Sequence, residues 1–388
     1  MEEKMPFYVQ RGNIPPKRHI QHRDEKGNLY FEEHASREGF SDIYSNMYHL
    51  RQPTRIAEVG KFTPFQLKPA EDRIHRHRHL ETFNFEPEGD WVFGRKSIAF
   101  NNDVALKVAA PVDQSNFFYR NGIADEVIFV HYGEGSIYSF YGKLDFGPGD
   151  YIVIPKGILY KMDLKSDNNR FLIIESTGPV EPPKSYRNEF GQLLEHAPYC
   201  ERDIRVPKFT EPIDEEGKFN FVLRTVNGFQ KYKFAQHPMD VVGWDGCYYP
   251  WIFNIHDFMP ITGKIHMPPP IHQTFQGPGF VVCSFCPRMY DYHEKSIPAP
   301  YNHQNVDSDE VLYYVAGQFM SRRDVSEGSI TIHPYGLAHG PQPGKYEGSI
   351  GKKETNELAV MLDPFRPLIP AQDSLQVDDP KYPLSWLD

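Results

Sequence analysis

Apolar and polar residues alternate in short runs along most of the chain. VIFVHY (127–132), GSIYSFYG (135–142), DYIVIP (150–155) and RFLIIES (170–176) are rich in β-branched and aromatic side chains. KFNFVLRTV (218–226), GFVVCSF (279–285), EVLYYVAGQF (310–319) and SITIHP (329–334) repeat the pattern. A period near two over such short runs predicts strands with one face turned inward. Residues 1 to about 85 are polar and broken by turn residues. Residues 176 to 215 form a proline-rich connector in which a short helix is expected near Gln192–Glu195. The last segment, from Pro364, reads as an irregular tail laid over a surface. An all-β fold follows, and 34 prolines and 29 glycines spread along 388 residues fit many short elements joined by turns.

The two strand-rich halves carry one template. In the second half it reads His303-x-Asn305-x4-Glu310-x6-Gly317, then Gly328-x5-Pro334-x-Gly336-x2-His339. In the first it reads Tyr119-x-Asn121-x4-Glu126-x6-Gly133, then Gly149-x5-Pro155-x-Gly157-x2-Tyr160. Each copy is two hairpins, with glycine where a turn needs conformational freedom and proline where a strand ends. Sheets rolled this way make barrels that bury their inward residues and hold ligands inside. The expected division is an N-terminal arm with edge strands (1–85), a barrel without metal ligands (86–180), a connector with strands (181–240), and a metal-binding barrel with its tail (241–388).

His303, Glu310 and His339 are the expected metal ligands. Two imidazoles and one carboxylate occupy one face of an octahedral ion and leave the others for substrate and O2, which suits a non-haem Fe(II) oxygenase. In the cupin superfamily, which these motifs resemble, a fourth ligand often stands at the position of Asn305, so the resemblance implies an open site. A formal charge of −10 argues against a nucleic-acid surface. Four cysteines are too few for a disulfide-stapled fold, and Cys283-x2-Cys286 reads as two buried free thiols. No apolar run suggests a signal peptide or a membrane span, so a cytoplasmic protein is expected. The tract Arg73-Ile-His75-Arg-His77-Arg-His79 alternates cations with imidazoles. It reads as a solvated or subunit-contacting strand rather than a metal site.

The paired motifs resemble those of the cupin superfamily in its two-barrel, bicupin form (a double-stranded β-helix, or jelly roll). More narrowly, Met47–Thr54 (MYHLRQPT), Asp240–Pro250 (DVVGWDGCYYP), Pro300–Asn305 (PYNHQN) and His333-x5-His339-Gly340-Pro341 resemble the homogentisate 1,2-dioxygenase family. The resemblance implies Fe(2+), O2 and an aromatic hydroquinone acid, with homogentisate opened to maleylacetoacetate and both oxygen atoms retained. It implies His266, in Gly263-Lys-Ile-His-Met-Pro-Pro-Pro270, as the catalytic base, with His272 the less favoured neighbour. It also implies substrate contacts from Tyr301, His333 and His339, and a homo-oligomeric assembly. Phe319 departs from the family pattern, which has tyrosine there, so a missing hydroxyl puts the exact ring acid in question. Arg288, Arg322, Arg323 and Arg366 are the cations nearest the motifs, each expected at the surface. Gentisate or another hydroquinone acid, a non-catalytic metal-binding bicupin, and a zinc-dependent sugar-phosphate isomerase are the competing readings.

Overall fold

A computed structural model describes residues 7–387, and within them the chain consists of strands and short 3-10 turns, with no α-helix. The expected runs form the strands Asp125–Tyr132, Gly135–Ser139, Asp150–Ile154, Arg170–Ser176, Glu216–Thr225, Phe280–Phe285, Glu310–Ala316 and Ser329–His333. A seven-stranded and an eight-stranded sheet build the first barrel. A six-stranded sheet builds the second, in the order Gln273–Gly277, Phe280–Phe285, Leu358–Pro364, Glu310–Ala316, Ser329–His333, Arg78–Glu81.

The internal repeat is visible in strand register. Tyr119 pairs with Tyr160 in the first copy as His303 pairs with His339 in the second. Glu126 lies opposite Ile154 as Glu310 lies opposite His333. The spacing read from the motifs therefore reflects equivalent positions in two barrels, and the protein has the bicupin fold. Gly133 and Gly317 close the equivalent turns with φ of 108° and 89°. A Cβ would lie 2.3 Å from Asn169 Oδ1 at the first and 2.2 Å from the Asn356 carbonyl oxygen at the second, so no other residue fits there.

Ladders cross the expected boundaries at 85 and 240. Trp251–Asn254 pairs with Asp150–Ile154 of the first barrel, and Val241–Gly246 sits between the arm strands Val9–Gly12 and Tyr44–His49. Arg78–Glu81 closes the edge of the second barrel by pairing with Ser329–His333. That last pairing corrects the solvated reading of the Arg/His tract, since Arg78 and His79 are buried. Alternation explains its composition. Arg76 and Arg78 turn to Asp378, while His79 Nε2 meets Ser329 Oγ at 2.9 Å on the barrel side.

The tail is also more tied down than its composition suggests. Ile369–Pro370 pairs with Lys96–Phe100, and buried Tyr382 reaches the second barrel. Near Gln192–Glu195 there is no helix. Asn188 Oδ1 instead accepts from the backbone N–H groups of Phe190 and Gln192, and Leu193 bridges back to Arg187. An asparagine that can hydrogen-bond the following backbone competes successfully with a helical turn. Cys283 and Cys286 are buried free thiols, as expected.

Candidate active site

The three expected ligands converge at one end of the second barrel. His303 and His339 form a mutual backbone pair, His303 N–H to the His339 carbonyl at 2.9 Å and the reverse at 2.8 Å. That pairing sets their rings 4.4 Å apart. Glu310, the first residue of its strand, reaches up between them. His303 Nε2 lies 3.2 Å from Glu310 Oε2, and His339 Nε2 lies 3.6 Å from Oε1. One ligand atom from each residue lies within 4.8 Å of the others, and among the described residues this is the one such group. Asn305 takes no part in it. Its carbonyl instead accepts from Gly336 N–H at 3.1 Å.

A metal fits these residues. The Nε2 of His339 is buried and has no hydrogen-bond partner, although it faces a carboxylate and a second imidazole. Leaving such a group unsatisfied costs about 1–3 kcal/mol, which coordination would recover. No Lys or Arg among the described residues lies within 4.0 Å of Glu310 to neutralise it. Burial alone would raise the Glu310 pKa, but hydrogen bonds with His303 and His333, with the His339 ring close by, hold it well below the usual carboxylate range. Its hydrogen bond in turn raises that of His303. Asp363, on the neighbouring strand, is pushed up to about 8 by burial and then by the charge of Glu310.

Above the ligands lies a cavity of about 120 Å³. Its apolar walls include Met267, Phe285, Leu312, Phe319 and Met361. The polar groups facing it include His266, His272, Arg288 and Arg322, together with His303 and Glu310. A mostly apolar pocket with a few convergent polar groups is the usual form of a small-molecule site.

The remaining expected site residues fall into different places. His266 lines the cavity, about two-fifths exposed, with Nδ1 3.9 Å from Asp291 Oδ2. Tyr301 is half exposed, its ring 5.0 Å from His266 and 6.0 Å from His303, so it stands at the rim between them. Phe319 lines the cavity and packs its ring 4.6 Å from that of Tyr314.

His333 does not face the cavity. It is fully buried behind Glu310, with Nδ1 2.8 Å from Oε1 of that residue and Nε2 3.2 Å from the Tyr382 hydroxyl. Burial and then Arg322 push its pKa down to about 3, so it is neutral. Both ring nitrogens are engaged, which suits orienting the carboxylate rather than touching a ring hydroxyl.

Comparison with known proteins gives the chain its relatives. The model of the homogentisate 1,2-dioxygenase N-terminal family matches residues 85–255. A Saccharolobus solfataricus protein described as "Putative dioxygenase" is 41% identical over 98% of this chain and 99% of its own. The chain belongs to the homogentisate 1,2-dioxygenase family. Members named homogentisate 1,2-dioxygenase include those of Emericella nidulans, 25% identical over 81% of this chain and 70% of that one, and Oryza sativa, 24% identical over 87% and 76%. Dioxygenase relatives make this protein an oxidoreductase of that class. Among solved structures it resembles a cupin 2 conserved barrel domain protein from Leptotrichia buccalis, at 9% identity and a TM-score of 0.36, over 76% of this chain and all of that one. With so loose a superposition, the bicupin assignment stands on the chain's own register.

Several residues at the site escape a reading of motifs. Arg322 was expected at the surface but is 5% exposed and lines the cavity; Arg366 and Arg323 are exposed. His272, the less favoured neighbour of His266, is 4% exposed and also lines the cavity. Burial and then Arg288 push its pKa down to about 3. His77 and Trp386, far apart in the chain, pack their rings 5.1 Å apart at a tilt, with His77 6.1 Å from the His339 ring. The only prior signal for His77 was the period-two alternation of its tract.

Proposed function

We propose that this protein is an Fe(II)-dependent ring-cleaving dioxygenase acting on a hydroquinone with a carboxylate arm, homogentisate being the leading substrate. The observation that carries the reading is the cluster of His303, Glu310 and His339, with the buried, unpartnered Nε2 of His339, beneath an apolar cavity. Ferrous iron held by these three would supply a redox-active centre with positions left for substrate and O2. His333, braced by Tyr382, keeps Glu310 aimed at that centre. Met267, Phe285, Phe319 and Met361 exclude water from the ring. His266 is the base, taking the phenolic proton on a ring nitrogen as the hydroxyl enters the cavity. Tyr301 shields the His266–His303 side of the rim. The overall reaction adds one O2, opens the ring and leaves both atoms in the product.

Phe319 favours keeping a second ring acid in view. Its ring offers no hydroxyl to a substrate, so recognition must come from other walls of the cavity. Anaerobic Fe(II)-loaded protein mixed separately with homogentisate and gentisate, with O2 uptake followed, decides the matter. Stoichiometric uptake with homogentisate and a ring-opened product carrying two labelled atoms from 18O2 is expected. Uptake with gentisate alone would move the substrate, and uptake with no hydroquinone acid would end the dioxygenase reading.

A further inference from the structure

Two arginines line the cavity, and only one has a carboxylate to itself. Arg288 Nη2 meets Glu357 Oε1 at 2.9 Å. Arg322 has no carboxylate oxygen within 4.0 Å among the described residues, although it is 5% exposed. Its Nη1 donates to the carbonyls of Gly340 at 2.7 Å and Ser321 at 3.1 Å. Its Nη2 lies 3.3 Å from His333 Nε2, and its Nε has no partner at all. The face of Trp386 covers the other side, 5.6 Å from the guanidinium carbon. The nearest route to an anion is through the His333 ring to Glu310, and Glu310 belongs to the metal cluster. A buried cation that lacks its own counterion is costly, and the cost falls when an anion enters beside it.

From this we infer that Arg322 is the counter-cation for the substrate's carboxylate and the main determinant of preference for ring acids over neutral hydroquinones. The inference deepens the proposed function and rests on its reading of the cavity as the substrate site. An arginine fits the role because its planar fork can hold carbonyls with one nitrogen and still present others to an incoming carboxylate. Phe319, on the same loop side of the cavity, offers only an apolar surface to the ring, so charge rather than a phenol must sort the ligands.

The test is calorimetric binding under anaerobic conditions, with and without Fe(II), of (2,5-dihydroxyphenyl)acetate and its uncharged amide. The native protein is expected to bind the acid about tenfold or more tightly than the amide. Arg322→Gln should remove that advantage while leaving the amide's affinity in place, and Arg322→Lys should keep part of it. Equal loss for both ligands in Arg322→Gln would make the residue a structural brace and overturn the inference. Should that variant fail to fold, the native comparison still decides, because equal affinity for acid and amide also overturns it. Charge-selective binding without O2 uptake would sink the ring-cleavage reading and leave Arg322 standing. O2 uptake without charge-selective binding would do the reverse.

Discussion

The two barrels place a glutamate at the same register position and neutralise it in opposite ways. In the first barrel Glu126 is fully buried and ion-paired to Arg95, and the Tyr160 hydroxyl donates to its other oxygen at 2.7 Å. Arg95 also meets Glu175 at 2.9 Å and lies 5.7 Å from the Tyr119 ring, while Trp91 packs on Tyr160 at 4.9 Å. The positive charge there is part of the chain, and aromatic rings fill the space around it. In the second barrel Glu310 has three imidazoles and, among the described residues, no Lys or Arg within 4.0 Å, and a cavity takes the place of the rings. Exchanging two tyrosines for two histidines and withholding one arginine separates a structural barrel from one that needs a diffusible cation.

Glu310→Gln strikes the second barrel's half of the contrast hardest. Metal content should fall with O2 uptake, the latter by about a thousandfold or more, since several kcal/mol of metal assistance disappears. Elemental analysis beside the rate measurement checks it, and a variant retaining full metal would show that Glu310 is not a ligand. Arg95→Met should act on stability instead, costing about 3–5 kcal/mol by stranding Glu126. Denaturant melting measures that loss, and adding Glu126→Gln should recover part of it. If Arg95→Met melted like the native protein, the built-in cation would be incidental.

The halves should also respond differently to pH. His49 ends the arm strand Tyr44–His49, its ring 5.4 Å from that of Phe140 of the first barrel, with Nδ1 2.7 Å from Asp240 and Nε2 3.0 Å from Glu33. Burial pulls its pKa down, but the two carboxylates outweigh this and raise it from 6.5 to about 9. Because the folded value exceeds the unfolded one, the protonated form stabilises the fold. That contribution is complete below about 6.5 and is lost as pH rises through about 9, up to about 3 kcal/mol in all. His49→Phe should flatten this alkaline loss in melting curves. Metal affinity has the opposite sign and should climb with pH, because binding releases protons from the ligands. The smallest effect belongs to Tyr382→Phe, which frees His333 and should weaken metal binding about tenfold without unfolding either barrel. Competition with a chelator would read it.

Much of this contrast could be read from the chain before any coordinates. Glycines and prolines at matched spacings gave both barrels, because hairpin turns constrain backbone angles locally and leave a trace in sequence. The convergence of His303, Glu310 and His339 was legible for the same reason, since they ride on those turns. Arg95 was not, because it lies outside the template and reaches Glu126 only through tertiary folding. Arg322 and His272 looked like ordinary polar residues in loops, and their burial depends on what packs over them. His333 was recognised as belonging to the site, yet its side-chain direction turns on register and on Tyr382, 49 residues away.

The strand Arg78–Glu81 and the residues Tyr382 and Trp386 have a consequence for biosynthesis. Segments about 300 residues apart in the chain meet behind one triad. Ion capture must therefore wait until residue 382 has been added, and chains truncated ahead of it should be unable to retain a metal ion through gel filtration.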